Sequence, residues 1–215
     1  MHLTNTSTPQ SNTSPPRAGL SSGKPASSQK NGRNPEITID IKSLFFSKLS
    51  DDSEVSSFTC SDSKDLEDFL RNDAKTRQQE KISTTYLVHS GTDLVGYFSL
   101  SMGCITSDFV KKMSLEIEDP PNKYPALLLA RMAIKDGLRG QGIGREMLKH
   151  VFAMAFRLTG QIGCRFVKVD AKRDPRAIRF YQNYGGFIKI TQNSETMQMV
   201  VDLNKIGDEE NSIKV

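Results

Sequence analysis

Apolar and polar residues alternate along this chain with two different periods, and their order predicts a mixed α/β domain. Short runs rich in β-branched, aromatic and aliphatic residues predict strands at 45–49, 84–89, 94–102, 126–134, 165–170, 187–191 and 196–203. Apolar spacing of three and four residues predicts helices at 66–74, 144–158 and 175–184. The run at 126–134 is apolar on both faces, as expected of a central strand that helices cover.

Turn signals separate some of these elements. The segment 90–93 (SGTD) predicts a hairpin turn between two strands. Pro120 and Pro121 break the chain before the central strand. The weakly patterned segment 103–124 is therefore expected to be a surface loop with one helical turn, which either borders a substrate cleft or only connects two strands.

Single residues add detail to three elements. Ser61 or Ser63 is expected to cap the first helix, because serine hydroxyls accept from the free N–H groups of a first turn. Pro175 is expected to open the last helix, at a position that tolerates proline. Arg131 interrupts the apolar central strand, which predicts a bulge or the edge of a ligand groove at that point.

The two ends of the chain differ in composition from the middle. Residues 1–36 are rich in Ser, Thr, Asn, Pro and Gly and contain no acidic residue before Glu36, so we expect them to be disordered. Their composition loosely resembles an organelle transit peptide, but they lack an amphipathic apolar face. The folded domain is expected at 37–204, and residues 205–215 are expected to form a frayed polar tail.

The overall composition excludes some classes of protein. No apolar run among the 215 residues approaches the ~20 residues that a membrane-spanning helix needs. The net charge of +4 permits an anionic partner without requiring one. The three cysteines (Cys60, Cys104 and Cys164) and the three histidines lie far apart, which predicts reduced thiols, no metal site and a cytoplasmic protein.

The candidate chemistry lies in a glycine-rich turn between the central strand and the next helix. The turn consists of Arg139, Gly140, Gln141, Gly142, Ile143 and Gly144. Glycine lets the backbone approach a ligand closely, and the free N–H groups of a helix's first turn attract anions, so the turn is a candidate pyrophosphate site. The spacing excludes a P-loop and a Rossmann fingerprint. The pattern that remains is Arg/Gln-x-x-Gly-x-Gly/Ala, which Arg139, Gly142 and Gly144 match. In the alternative interpretation these glycines only form a tight turn.

With this pattern between an apolar strand and a helix, the chain resembles the GNAT superfamily of acetyl-CoA-dependent N-acetyltransferases over residues 45–203. The resemblance implies a twisted mixed sheet of about six to seven strands with helices on both faces. It also implies that the turn holds the coenzyme A pyrophosphate, while the end of the central strand pairs with the amide-rich pantetheine arm. The expected cofactor-binding residues are Met132, Ala133, Ile134, Arg139, Gly140, Gln141, Gly142, Ile143, Gly144 and Arg145.

The resemblance places the catalytic tyrosine at Tyr181. A phenol with a pKa of about 10 is protonated at neutral pH and can donate its proton to the departing thiolate. In the alternative interpretation Tyr181 is only a packed aromatic beside Phe180, and Tyr184, one turn on, is the second candidate. A backbone N–H of the central strand is expected to stabilise the developing oxyanion, and the sequence identifies no base for the incoming amine.

Further matches narrow the resemblance to the GNAT toxins of bacterial and archaeal toxin–antitoxin pairs. They are the segments 58–60 (FTC), 66–70 (LEDFL), 84–88 (TTYLV), 96–101 (GYFSLS), 124–133 (YPALLLARMA), 171–172 (AK) and 180–181 (FY). Such enzymes acetylate the α-amine of aminoacyl-tRNA and block translation, a ribbon-helix-helix antitoxin neutralises them, and many are homodimers. This chain departs from the family at Gly185-Gly186, where a single glycine is usual, and the extra residue is expected to shift the following strand register.

The sequence leaves three functions open. The protein acetylates aminoacyl-tRNA, or it acetylates a free amine on a small molecule, a peptide N-terminus or a lysine, or it is a non-catalytic acetyl-CoA-binding module. Six basic residues around the last strand–helix unit either contact tRNA phosphates or the coenzyme 3′-phosphate, or are simply solvated. These residues are Arg165, Lys168, Lys172, Arg173, Arg176 and Arg179.

Overall fold

The strand predicted at 126–134 lies in the middle of the sheet, as expected. A computed structural model describes residues 38–113, 115 and 117–210, so the predicted disordered tail lies outside the described residues. Within them, seven strands form one mixed sheet in the order β1-β2-β3-β4-β5-β7-β6, with only the β4–β5 pair parallel. The strands are β1 (Leu44–Lys48), β2 (Thr84–Ser90), β3 (Asp93–Thr106), β4 (Lys123–Ile134), β5 (Phe166–Lys172), β6 (Ile188–Gln192) and β7 (Thr196–Asp202).

Helices cover both faces of this sheet, as the resemblance implies. They are α1 (Lys64–Asp68), a π-helical segment (Phe69–Asp73), α2 (Ala74–Gln79), α3 (Ser107–Lys112), α4 (Ile143–Thr159), α5 (Pro175–Gly185) and α6 (Leu203–Glu210). Adjacent residues of a strand face opposite sides: Phe98 packs in the core with α4 and α5, whereas Tyr97 packs with Phe69 of the π-helical segment. None of the described helices is both long and apolar enough to cross a membrane.

The middle of β4 carries the bulge that the sequence predicts. Arg131 lies opposite Ser99 and Leu129 lies opposite Leu100, so Ala130 is an extra residue on β4. Bulges bend a strand and interrupt its pairing. The parallel pairing of β4 with β5 covers only the four residues that end at Leu129. The sheet therefore opens between the last third of β4 and the end of β5.

The start of the first helix contradicts the predicted caps. Neither Ser61 nor Ser63 makes a capping hydrogen bond from its side chain. The Ser61 hydroxyl instead donates to Oδ2 of Asp136 at 2.6 Å, and Glu67 accepts from the backbone N–H of Cys60 at 2.9 Å. The capping prediction was wrong because Ser61 is bonded to a carboxylate 75 positions away, which no local pattern reveals.

Two stretches hold more regular structure than predicted. The loop predicted at 103–124 is shorter in the structure, because β3 continues to Thr106 and β4 begins at Lys123. The expected helical turn within it is α3. The polar stretch after β7 forms α6, where Ile206 packs against the main core. In both cases the extra structure depends on packing against distant parts of the sheet.

The paired glycines after α5 have separate structural roles. Gly186 has φ 63°, the left-handed conformation that ends a helix. Gly185 lies against Phe187, whose ring carbons would be 2.6 Å from an added Cβ. β6 then pairs with β7 with an irregularity at Ile190, which lies between the paired residues Lys189 and Thr191. The register shift expected from the extra glycine, relative to the family, stays a prediction.

Candidate active site

The glycine-rich turn presents backbone N–H groups at the start of α4. Gly140 and Gly142 have φ 84° and 89°, which favour glycine, and Gly142 is the N-cap of the helix. The N–H of Arg145 bonds back to the carbonyl of Gly142 at 3.0 Å. No hydrogen bond among the described residues uses the N–H of Ile143 or of Gly144. These donors and the helix dipole fit a pyrophosphate.

Gly144 brings three elements together at this turn. A Cβ added to Gly144 would lie 3.1 Å from two ring carbons of Phe180 on α5 and 3.3 Å from Cδ1 of Ile134 at the end of β4. A side chain at this position would therefore require Phe180 and Ile134 to move. The first turn of α4, the opening of the sheet and α5 consequently meet at one point.

The residues before β1 support the outer side of the turn. We call residues 38–43 the N-terminal strap. The N–H of Ile39 donates to Oε1 of Gln141 at 2.8 Å, and the side chain of Ile41 would lie 3.6 Å from a Cβ on Gly142. The strap thus contacts the turn at Gln141 and Gly142.

Arg139 belongs to a network on the other side of the turn. Its guanidinium pairs with Asp62 and, at 3.5 Å, with Asp136, and donates to Sγ of Cys60 at 3.3 Å. Hydrogen bonds from Ser61 lower the pKa of Asp136, and burial raises the pKa of the Cys60 thiol. The side chain of Arg139 therefore ties the segment before α1 to the turn, and the charge of its guanidinium is already compensated.

Tyr181 lies inside α5, where solvent scarcely reaches it. It is 9% exposed and packs between Phe180 and Phe187, with ring centroids 5.2 and 5.5 Å away. Burial raises the pKa of Tyr181 above its ordinary value, so its hydroxyl stays protonated at neutral pH. Tyr184, in contrast, is 56% exposed and lies 5.9 Å from the guanidinium of Arg145.

The open edge of β4 is a second element that fits the coenzyme. Beyond Leu129 the described residues provide no strand that pairs with the β5-facing edge of β4. Met132 and Ile134 pack toward the α4 side of the sheet, and Ala133 toward the α1 side, so their backbone forms that edge. An arm rich in amides can bond to it as an added strand would.

Most of the predicted basic cluster is paired within the protein. Arg165 bonds to buried Asp202 at 2.9 Å, Lys172 pairs with Asp65 on α1, and Arg176 pairs with Asp174 at 3.1 Å. Lys168 lies 3.8 Å from Asp170, and Arg173 donates to the carbonyl of Asn193 at 3.2 Å. Only Arg179 of the six has neither an ion pair nor a side-chain hydrogen bond among the described residues.

Arg131 is a site residue whose side chain the sequence analysis did not assign. It is exposed beside the opening, with its guanidinium 5.2 Å from the ring centroid of Phe69. The signal is a lone charge within an apolar strand, which predicts a bulge or the edge of a ligand groove but gives the side chain no role of its own.

Comparisons with known proteins identify the family of the domain that contains this site. Residues 83–185 match the family model described as an acetyltransferase (GNAT) domain. A protein of Mycobacterium tuberculosis named tRNA-acetylating toxin is 27% identical over 163 residues, which cover 75% of this chain and 95% of that protein. The family match reaches from the hairpin through α5, so it includes the turn, the opening and Tyr181.

Solved structures share the fold. A structure of AtaT complexed with acetyl-methionyl-tRNAfMet superposes with a TM-score of 0.65 at 23% identity, covering 78% of this chain and 99% of that chain. A structure of AtaTR bound with AcCoA has a TM-score of 0.65 at 24% identity, covering 79% of this chain and 99% of that chain. Residues 83–185 of this chain are therefore an acetyltransferase domain of the GNAT family.

Proposed function

We propose that this protein transfers the acetyl group of acetyl-CoA to the α-amine of aminoacyl-tRNA in the cytoplasm and thereby blocks translation. The observation that carries the proposal is the parting of β4 from β5 after Leu129. The amide groups of the turn lie at one end of this opening, and Tyr181 lies beside Phe180, which packs against Gly144 there.

Each element has a distinct role in acyl transfer. The coenzyme supplies a thioester, in which the acetyl carbonyl is open to attack by an amine. The N–H groups of Ile143 and Gly144 hold its pyrophosphate, and the open edge of β4 orients its arm. A backbone N–H of β4 stabilises negative charge on the carbonyl oxygen. The hydroxyl of Tyr181, which its raised pKa keeps protonated at neutral pH, donates a proton to the leaving sulfur, and the proton that the attacking amine loses passes to water or back to the phenolate.

The choice of acceptor is supported by the relatives. The Mycobacterium tuberculosis protein is named for tRNA acetylation, and AtaT has been captured with acetyl-methionyl-tRNAfMet. By the same similarity we propose that an antitoxin neutralises this protein, as the AtaT-AtaR complex suggests. That the antitoxin is of the ribbon-helix-helix type and that the protein is a homodimer remain predictions.

The decisive assay incubates the purified protein with acetyl-CoA and charged tRNA. Mass spectrometry of the aminoacyl ends is expected to find N-acetylated aminoacyl-tRNA, and a cell-free translation extract is expected to stop. Tyr181→Phe is expected to lower the rate of acetylation by about 10²–10⁴-fold, the usual contribution of a general acid, while acetyl-CoA binding persists.

Tyr184→Phe is the matched control, because Tyr184 is an exposed tyrosine one helical turn after Tyr181 and the change likewise removes only a hydroxyl. Its rate should stay close to that of the wild type. Rapid acetylation of free amines or peptides with no reaction on charged tRNA would favour the second function. Coenzyme binding without any turnover, unchanged by Tyr181→Phe, would favour the non-catalytic module.

A further inference from the structure

The side chain of Arg131 lies on the face of the sheet opposite to α4, whose first turn is the proposed coenzyme site. It lies on the face of the sheet that α1 and α2 cover, because it is paired with Ser99 and lies two positions from Ala133, which packs with Tyr97 on that face. The turn, in contrast, opens α4, which packs on the opposite face with Phe98. Arg131 therefore lies at the same opening as the coenzyme, on the side from which an acceptor can approach.

The guanidinium of Arg131 is held by neutral groups only. It lies 5.2 Å from the ring centroid of Phe69, and one nitrogen donates to the carbonyl of the bulged residue Ala130 at 2.8 Å. No carboxylate among the described residues forms a salt bridge with it. Arginine has five N–H donors, so most of them remain available to a ligand.

The neighbouring cations differ from Arg131 in this respect. Arg139 pairs with Asp62 and Asp136, and Lys172 pairs with Asp65. Arg131 is thus an uncompensated positive charge at the opening. Such a charge attracts an anionic acceptor and repels a cationic one, such as a polyamine or a lysine side chain.

The ring that contacts Arg131 belongs to a segment that is not a regular α-helix. Phe69 begins a π-helical segment, and π-helical turns are rare and occur frequently at functional sites. Arg71 in the same segment donates to the carbonyls of Ser56 and Phe58 and pairs with Glu67, which fixes the segment against the rest of the fold. The ring that positions Arg131 is consequently itself held in place.

We propose that Arg131 selects the acceptor by binding the phosphate nearest to the reacting amine. In an aminoacyl-tRNA, this is the phosphodiester that joins the terminal nucleoside to the rest of the strand. The inference rests on the proposed function and adds to it a residue that distinguishes phosphate-bearing acceptors from neutral and cationic ones.

The sharpest test compares two minimal acceptors that carry the same amine. One is the 3′ methionyl ester of adenosine 5′-phosphate, and the other is the 3′ methionyl ester of adenosine. The wild type is expected to prefer the phosphorylated ester in kcat/KM by about 10- to 100-fold, the range of a hydrogen bond to a charged group. Arg131→Gln is expected to abolish this preference through KM, and Arg131→Lys is expected to restore part of it.

Charged tRNA provides an independent measurement. Loss of one phosphate contact on a single strand is expected to reduce the slope of log KM against log salt concentration by about 0.7 for Arg131→Gln. Arg157→Gln is the matched control, since Arg157 is an exposed arginine in the last turn of α4. Thermal melting and acetyl-CoA binding of each variant show whether it is folded.

The outcomes separate the two proposals. Equal use of both esters by the wild type, or an equal loss on both in Arg131→Gln, would overturn the role of Arg131 while leaving tRNA acetylation intact. Acetylation of spermidine or of lysine peptides, with no reaction on either ester or on charged tRNA, would overturn the proposed function and the phosphate inference together.

Discussion

Gly144 allows a quantitative test of how the turn, β4 and α5 are packed. In Gly144→Ala the new methyl group would lie 3.1 Å from the ring of Phe180 and 3.3 Å from Cδ1 of Ile134. Alanine favours a helix over glycine by up to about 1 kcal/mol, whereas overpacking typically costs about 1–3 kcal/mol. We therefore expect a net loss of about 1–2 kcal/mol in the free energy of unfolding, measured by urea denaturation.

The same variant should also affect the reaction. A displaced Phe180 moves its neighbour Tyr181, so kcat is expected to fall by about 10-fold, because small misplacements of reacting groups are costly. Phe180→Leu removes the ring that the methyl group meets. In a double-mutant cycle, Gly144→Ala should then cost at least 0.5 kcal/mol less in the Phe180→Leu background. A Gly144→Ala protein more stable than the wild type, or a cycle without coupling, would refute this account of the packing.

Three further results are expected. Gly185→Ala should destabilise the protein by about 2–3 kcal/mol in urea denaturation, because its Cβ would lie 2.6 Å from Phe187, and an unchanged midpoint would contradict that contact. Asp202→Ala should cost about 2–3 kcal/mol, because it leaves the partly buried Arg165 without its carboxylate partner, and Asp202→Asn should be intermediate. An unchanged unfolding midpoint in both variants would contradict the importance of this ion pair. Burial raises the pKa of Tyr181 above its ordinary value of 10.0, so the phenol stays protonated and kcat should not decline as pH rises toward that value. A decline in kcat below pH 10.0 that Tyr181→Phe removes would contradict the burial.

Local chemistry explains which parts of the fold were predictable. The hairpin, the glycine-rich turn and the C-terminus of α5 are each specified by residues close together in sequence, such as Gly142 and Gly186 with their positive φ. The bulge was also predictable, since a charge within an apolar strand is a strong local signal. The actual partner of Ser61 and the existence of α6 were not, because both depend on contacts with residues far away in the chain.

The candidate site divides in the same way. The spacing of the glycines and the position of Tyr181 could be derived from motifs, but the burial that raises the pKa of Tyr181 depends on Phe187 folding back after α5. The sequence also does not reveal which arginines of the site form ion pairs with carboxylates. Arg139 and Arg131 look alike there, yet one is neutralised by two aspartates and the other is not.

Because the turn is the proposed coenzyme site, the N-terminal strap would link coenzyme affinity to residues that lie outside the sheet. Ile39 bonds to Gln141 across 102 positions, whereas every strand begins later in the chain. A chain shortened to start at β1 would lose the hydrogen bond from Ile39 to Gln141 and the packing of Ile39 on the main core, so Gln141 and Gly142 would lose their outer support. Proteolysis or a bulky fusion just ahead of β1 is therefore expected to slow catalysis by weakening coenzyme binding, while the pairing of the strands remains.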